Sequence, residues 1–394
     1  MSAHANPDII DDGLVFLYDT DDAKSFKGEP TTNLITNSGT SNTGWVGHGW
    51  TGSQAISNDY PNTYEFTATN GWHNRTFDTG VTSGGTIYVT FQYKLKQQQT
   101  TQNQIFVLNG THLGSYTNYI GNGSMSFEWQ TFSGSFTANT NSSKIAIGPR
   151  GQDSSGLTDI VYIRNLQVEQ KPHATQFVNG TRSATQGLID RTGNSTIDLS
   201  PASYDSNAQI TFDGTDDYIT LGSDSVLQDI GSHATIECWF KSSATGSKFA
   251  LMVGWGDGTS YYSNFGIGNW YSAQSDESIY VGVNSAAVIY AENDGSTKYH
   301  DGNWHHAVAL MGHNNHKIYV DGSEVSVSFP YGSNSVSTSK LFGFSSGTEV
   351  YIGLRPYGNG HFQGELPVVK IYNRLLSDDE ILQNYNTTKS RFGL

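Results

Sequence analysis

Clustered carboxylates, planar rings set among amides, and paired imidazoles are the side chains here whose types and spacing could do chemistry. Asp213, Asp216 and Asp217 bracket Gly214 and place three oxygen donors within five residues. Such a set could hold Ca²⁺, a hard cation that takes carboxylates and carbonyls. The same residues also make a tight turn that caps backbone amides, and the turn is the leading reading. The rings fall into two groups. Trp129, Trp239 and Trp304 sit inside strand-like runs and read as core. Trp45, Trp50, Trp72 (followed by His73 and Asn74), Trp255, Tyr261, Tyr262, Trp270 and Tyr271 sit in stretches that read as loops. An exposed ring beside an amide combines stacking with hydrogen bonding, as sugar sites do. Rings that cover sandwich ends or a subunit interface look the same in sequence, and both readings stay open.

Other chemistries lack their residues. The 12 His include His305-His306 and the His313/His316 pair, yet no His-Glu-x-x-His spacing occurs, so they read as strand and hairpin residues. No Gly-x-Ser-x-Gly sits at a strand-to-helix turn. The lone Cys238 excludes a disulfide framework and a Cys-based zinc site. With 36 acidic against 21 basic residues and a net charge of −15, no nucleic-acid partner is expected. No apolar run is long enough to insert in a membrane. The first residues, lacking a basic start and an apolar core, do not read as a signal peptide. No cofactor is required, Ca²⁺ being the one ion considered.

Stepping from side chains to elements, the composition is rich in Gly (44) and aromatics (12%) and poor in charge (14%). That balance predicts an all-β chain of short strands and tight turns. Thr86–Lys94 alternates Ile87, Val89, Phe91 and Tyr93 with Tyr88, Thr90, Gln92 and Lys94, the period of a half-buried strand. A second block from about Ser183 repeats this grammar and contains Asp321-Gly322, a type I′ hairpin signal. One helix is expected near the C-terminus. Ser377 and Glu380 form a capping box ahead of Ile381, Leu382 and Tyr385, and the helix should run to about Asn386.

The second block resembles the laminin-G-like, concanavalin A-like jelly rolls. The matching segments are Phe212–Ile219, Thr235–Phe240, Asp301–Val308, Ile318–Gly322, Phe362–Glu365 and Val369–Ser377. In that family a strand like Gly13–Asp19 often directly precedes a turn like Asp190–Asn194. Here the two lie about 170 residues apart, which implies an insertion. The expected organisation is an arm over 1–30 whose strand (about 13–19) belongs to the C-terminal sandwich. An inserted sandwich similar to carbohydrate-binding modules follows at 31–181, and a concanavalin A-like sandwich at 182–394. The family's glucanases carry Glu-x-Asp-x-x-Glu on one strand. This sequence has no such run, and two residues after Glu237 stands Trp239.

The inserted block closes with Tyr162–Glu169 and then Ala174–Ser183, a phrase similar to one in structural proteins of tailed bacteriophages. That likeness implies a non-enzymatic virion structural protein, a decoration, fibre or baseplate-associated component. It would be made in the bacterial cytoplasm, displayed on the virion surface and oligomeric. Its partners would be other virion proteins and host surface polysaccharide. The alternative is a free carbohydrate-binding protein or a glycoside hydrolase.

Overall fold

A computed structural model describes residues 9–394 apart from 37, 50–51, 70, 99–103, 110–117, 121–124, 139–143, 152–157, 224, 229, 244–249, 257–260, 268–278, 284–286, 292–298, 313–315, 333–347 and 356–359. The chain is all-β and divides into two units. One comprises 1–29, 184–205 and 209–394; the other comprises 30–183 and 206–208.

In the larger unit two antiparallel sheets enclose the core. The first sheet runs in the order Ser203–Tyr204, Ile210–Asp213, Gln363–Tyr372, His233–Lys241, Trp304–Gly312, Lys317–Val320, Ser323–Val325. Leu14–Asp19 also pairs with Gln363–Tyr372, from Leu14 opposite Tyr372 to Asp19 opposite Val368. The turn after the insertion ties to this strand. Leu17 N donates to Asp190 Oδ1 (3.1 Å), while Thr192 Oγ1 and Asn194 Nδ2 both donate to the Val15 carbonyl (3.0 Å each). Residues on one parity of the central strands (Ile236, Cys238, Phe240, Ala307, Ala309, Val369, Ile371) fill the core with Met252, Val253, Trp255 and Phe265 of the second sheet.

The opposite parity is covered as well. Val308, Leu310, Tyr319 and Tyr372 pack against Leu376, just before the Asp378–Thr388 helix, and Ile381 within it. His233–Lys241 is therefore buried almost throughout, where a sheet with a wet outer face would alternate. Ser377 and Glu380 form the capping box. The helix runs to Thr388, two residues beyond the expected Asn386, because Thr387 and Thr388 turn their hydroxyls back onto the Gln383 and Asn384 carbonyls. A 3₁₀ turn over Lys389–Phe392 follows, stopped by left-handed Gly393. Asp321 and Gly322 have φ of 50° and 79°, the left-handed pair that a type I′ turn requires. A four-residue helical turn at Ser225–Gln228, too short to leave a periodic signal, was not expected from sequence.

The smaller unit is a sandwich of two five-stranded sheets. One has the order Gln130–Thr137, Thr86–Gln97, Thr158–Glu169, Thr63–Thr69, Gly52–Ile56. The other has the order Trp45–Gly49, Gly71–Asp78, Lys144–Gly151, Gln104–Asn109, Asn118–Ile120. Ile87, Val89, Phe91, Tyr93 and Leu95 point into the core, and the residues between them stay partly exposed. A buried polar knot closes this unit where the chain enters and leaves it. Glu169 accepts from Thr31 Oγ1 (2.7 Å), Thr175 Oγ1 (2.7 Å), Thr175 N (2.9 Å) and Gln167 Nε2 (3.0 Å). Asn33 Nδ2 donates to the Leu166 carbonyl (2.9 Å), and its Oδ1 accepts from Val168 N (3.0 Å). Among the described residues no helix is long and apolar enough to cross a membrane.

Candidate functional site

Strand parity builds an aromatic and cationic cluster on the outer face of the smaller unit's first sheet. Phe91, Tyr93, Leu95, Val161 and Ile163 face the core. Gln92, Lys94 and Lys96 of Thr86–Gln97, with Tyr162 and Arg164 of Thr158–Glu169, therefore share the opposite side. The register places Tyr162 opposite Lys94 and Arg164 opposite Gln92. Just past Arg164 the pairing slips and Asn165 takes a φ of 51°, a bulge that ends the regular ladder beside the cluster. Tyr60 reaches in from the turn between Gly52–Ile56 and Thr63–Thr69, and Trp129 from the residue before Gln130–Thr137.

The three rings meet edge to face or tilted. Tyr60 lies 5.3 Å from both Trp129 and Tyr162, and Trp129 lies 6.5 Å from Tyr162. Lys94 Nζ sits 4.5 Å from the Tyr60 centroid and 5.1 Å from that of Trp129, and donates to the Tyr60 hydroxyl (2.8 Å). The Arg164 guanidinium stacks on Trp129 with Cζ 3.8 Å from its centroid, while its Nε donates to Gln92 Oε1 (2.8 Å). At the rim Lys96 bridges Asp59 (3.1 Å) and Glu65 (2.9 Å). Hydrogen bonds from the Tyr162 hydroxyl and Lys96 hold the Asp59 carboxyl below its ordinary range. The neighbouring surface is hydroxylic: Ser133 Oγ meets the Tyr88 hydroxyl (3.2 Å), and Thr131 lies opposite Gln92. The cluster thus holds cations on ring faces beside amides and hydroxyls.

Trp129 was expected in the core, and the structure corrects that reading: it is half-buried on the outer face. The reason is parity. Phe132 and Phe136 turn inward, so Trp129 falls with Thr131, Ser133 and Ser135. Those polar neighbours were the available signal. Trp239 is fully buried, stacked on Phe392 (4.1 Å), with Nε1 donating to Thr388 Oγ1 (2.9 Å). Trp304 is only half-buried and lines a cleft of about 230 Å³ with Phe392, Arg391, Glu365 and Asp21.

The sequence-predicted sugar residues do not converge. Trp255 is fully buried on Ala250–Gly256, and its Nε1 donates to the Leu227 carbonyl (2.9 Å), so it is core and not a ligand platform. Trp45 begins a strand and packs half-buried on Tyr64 (5.7 Å) and Phe77 (5.6 Å). Trp72, His73 and Asn74 lie on the Gly71–Asp78 strand, and Tyr261 and Tyr262 on Tyr261–Ile267, where loops were expected. For these five the description stops at the backbone. Trp50, Trp270 and Tyr271 lie outside the described residues.

The carboxylates of Asp213, Asp216 and Asp217 fall within 4.8 Å of one another. Asp213 Oδ1 accepts from the amides of Thr215 (2.6 Å) and Asp216 (3.4 Å), and Asp217 Oδ2 accepts from Asp213 N (2.8 Å). The amide of Thr215 leads the interactions that lower the Asp213 pKa. This is the geometry of a capped turn. Glu237 is wholly buried beneath the C-terminal helix, with Lys370 Nζ donating to it at 2.5 Å and Asn384 Nδ2 at 2.7 Å; His306 Nε2 lies 3.0 Å from its Oε1. Burial opposes its ionisation, but the Lys370 charge and the His306 contact outweigh that and hold it down to about 2. It is a fully buried, internally paired carboxylate.

A comparison with curated proteins gives no match. Among solved structures, domain 4 of AbnA, an extracellular arabinanase from Geobacillus stearothermophilus in complex with arabinotriose, aligns at 13% identity. The alignment covers 52% of this chain and 93% of that one, with a TM-score of 0.36. The Trypanosoma rangeli sialidase aligns at 12% identity over 61% of this chain and 42% of that one, with a TM-score of 0.35. Residues 213–382 match the family model of the concanavalin A-like lectin/glucanases superfamily, and this part of the larger unit is a concanavalin A-like domain.

Proposed function

We propose that the protein is a non-enzymatic, glycan-recognising structural component of a virion, with the outer face of the smaller unit as its recognition surface. The observation that carries this reading is the half-exposed cluster of Tyr60 and Trp129 with Lys94, Arg164 and Gln92, seated on buried Tyr162, which brings rings, cations and an amide together. A non-enzymatic role is supported by the fate of Glu237, the carboxylate on the strand where related glucanases carry theirs, which is buried on Lys370 and Asn384. The virion role is supported by the Tyr162–Glu169 and Ala174–Ser183 phrase. Its Gln167, Glu169 and Thr175 form the knot that closes the inserted unit, so the phrase marks a way of building the module.

Purified protein should bind members of a polysaccharide panel without releasing reducing ends, and Trp129→Ala should abolish that binding. Reducing-sugar release that disappears in Glu237→Gln would overturn the non-enzymatic reading. Antibody raised against the protein should label intact particles.

A further inference from the structure

We infer that the glycan recognised at this surface is acidic, its carboxylate taken by Arg164 with Lys94 alongside; this rests on the proposed glycan reading. The first support is a charge anomaly. In a chain with 36 acids and 21 bases, a cation readily finds a carboxylate. Arg191, Arg374, Arg391, Lys96, Lys317 and Lys370 each do. Arg164 and Lys94 have no carboxylate partner among the described residues; their contacts are Gln92, the Tyr60 hydroxyl and ring faces. Two cations thus sit against one indole, at 3.8 and 5.1 Å from its centroid; Lys94 feels the Asp59 charge at a distance, and neither forms an ion pair with a described residue. The acids at the rim, Asp59 and Glu65, are both engaged by Lys96.

The second support is preorganisation. A guanidinium recognises a carboxylate through two parallel N–H groups, and the contact is stronger when the fork is already fixed. Here the plane is set by stacking on Trp129, and the rotation by the Nε bond to Gln92. Among the described residues neither terminal nitrogen of Arg164 has an acceptor. Elsewhere the chain satisfies such a fork itself: Arg374 donates through Nη1 and Nη2 to the two oxygens of Glu380 (2.9 and 2.7 Å). The geometry at Arg164 is that pair with the acid missing. The hydroxyl-lined strip of Thr131, Ser133 and Tyr88 would carry the rest of the sugar.

The test uses the full chain and polysaccharides presented as matched pairs: polygalacturonate, alginate, hyaluronate and polysialic acid, each beside its carboxyl-reduced form, with dextran sulfate as a further arm. Binding is read by titration calorimetry. At least one acidic member should bind, and reduction of its carboxyls should weaken binding by about tenfold or more, the scale of one charged hydrogen-bond pair. Arg164→Gln should lose a similar factor with the smaller unit still cooperatively folded and its melting temperature lowered no more than in Trp129→Ala, and Arg164→Lys should recover only part of the binding, since lysine keeps charge but not the fork. Equal binding of acidic and reduced forms would overturn the acidic assignment and leave the glycan reading standing. Binding to no member of the panel would overturn both. A preference for dextran sulfate over every carboxylated polymer would overturn the carboxylate in favour of sulfate.

Discussion

The two units each carry charge on the outer side of a sheet, and they treat it in opposite ways. In the larger unit Glu237, His306 and Lys370 lie beneath the Asp378–Thr388 helix, fully buried and mutually paired. Asn384 of that helix donates to Glu237 and to the Tyr372 hydroxyl, and accepts from Ile10 N (2.9 Å), so helix, sheet and N-terminal arm share one polar network. In the smaller unit Lys94 and Arg164 occupy the corresponding side of their sheet but rest on rings, without an ion pair among the described residues. Buried charges must be partnered because their desolvation is costly, so the first network serves architecture. Half-exposed cations face no such demand, because water still solvates them. Even the cleft beside Trp304 follows the first pattern, its Arg391 paired with Asp19 and Asp21 and its Glu365 with Lys241.

Breaking the buried network should have the largest effect. Glu237→Gln leaves the Lys370 ammonium buried without a counter-charge and should cost the larger unit about 3–5 kcal/mol in urea unfolding. Adding Lys370→Met should return part of that loss. The pH dependence has a fixed sign. The folded pKa of Glu237, about 2, lies below the ordinary 4.5, so its contribution is complete above about pH 4.5 and drains as pH falls toward 2. Wild type should lose stability over that acid window more steeply than Glu237→Gln. A flat difference between the two would show that the network carries no charge.

The surface cluster should respond less in stability and more in binding. Trp129→Ala removes the stacking partner of Arg164 and one of the rings around Lys94, each contact worth about 0.5–1 kcal/mol at such exposure. Thermal unfolding of the smaller unit should fall accordingly, while polysaccharide binding is lost. An equal stability loss in Trp129→Ala and Glu237→Gln would erase the contrast between the regions.

The smallest effect is expected at the acidic turn. Asp213 and Asp217 already direct oxygens at the amides of their own loop. Adding millimolar Ca²⁺ or EDTA should move the melting temperature by less than about 1 °C, whereas a bound ion in excess over its Kd would add several kcal/mol by mass action. A clear calcium-dependent rise would reassign the turn as a metal site.

Local patterns were legible from sequence wherever one short stretch settles the outcome. Asp321-Gly322 turns as its residue types demand, Ser377 and Glu380 cap their helix, and Ile87 to Leu95 alternate inward. Trp129 was legible too, had parity been followed past it into Thr131 and Ser133. Trp255 was not. Its Gly- and Asp-rich surroundings look like a loop, and only pairing with Glu349–Ile352 and Tyr261–Ile267 makes that stretch a buried strand.

By itself, then, the sequence determined the all-β class, the turns, the cap and the inward faces, because each depends on sterics and hydrogen bonds within a few residues. The tertiary structure alone decided which outer face is sealed. Periodicity says that Glu237 and Lys94 both point away from a core, and says nothing of what lies above them. A helix that begins 141 residues after Glu237 closes over one, and it binds there because Val308, Leu310 and Tyr372 give it an apolar bed. The strip around Gln92, Thr90 and Thr131 offers no such bed, and among the described residues that face keeps its cations half-exposed.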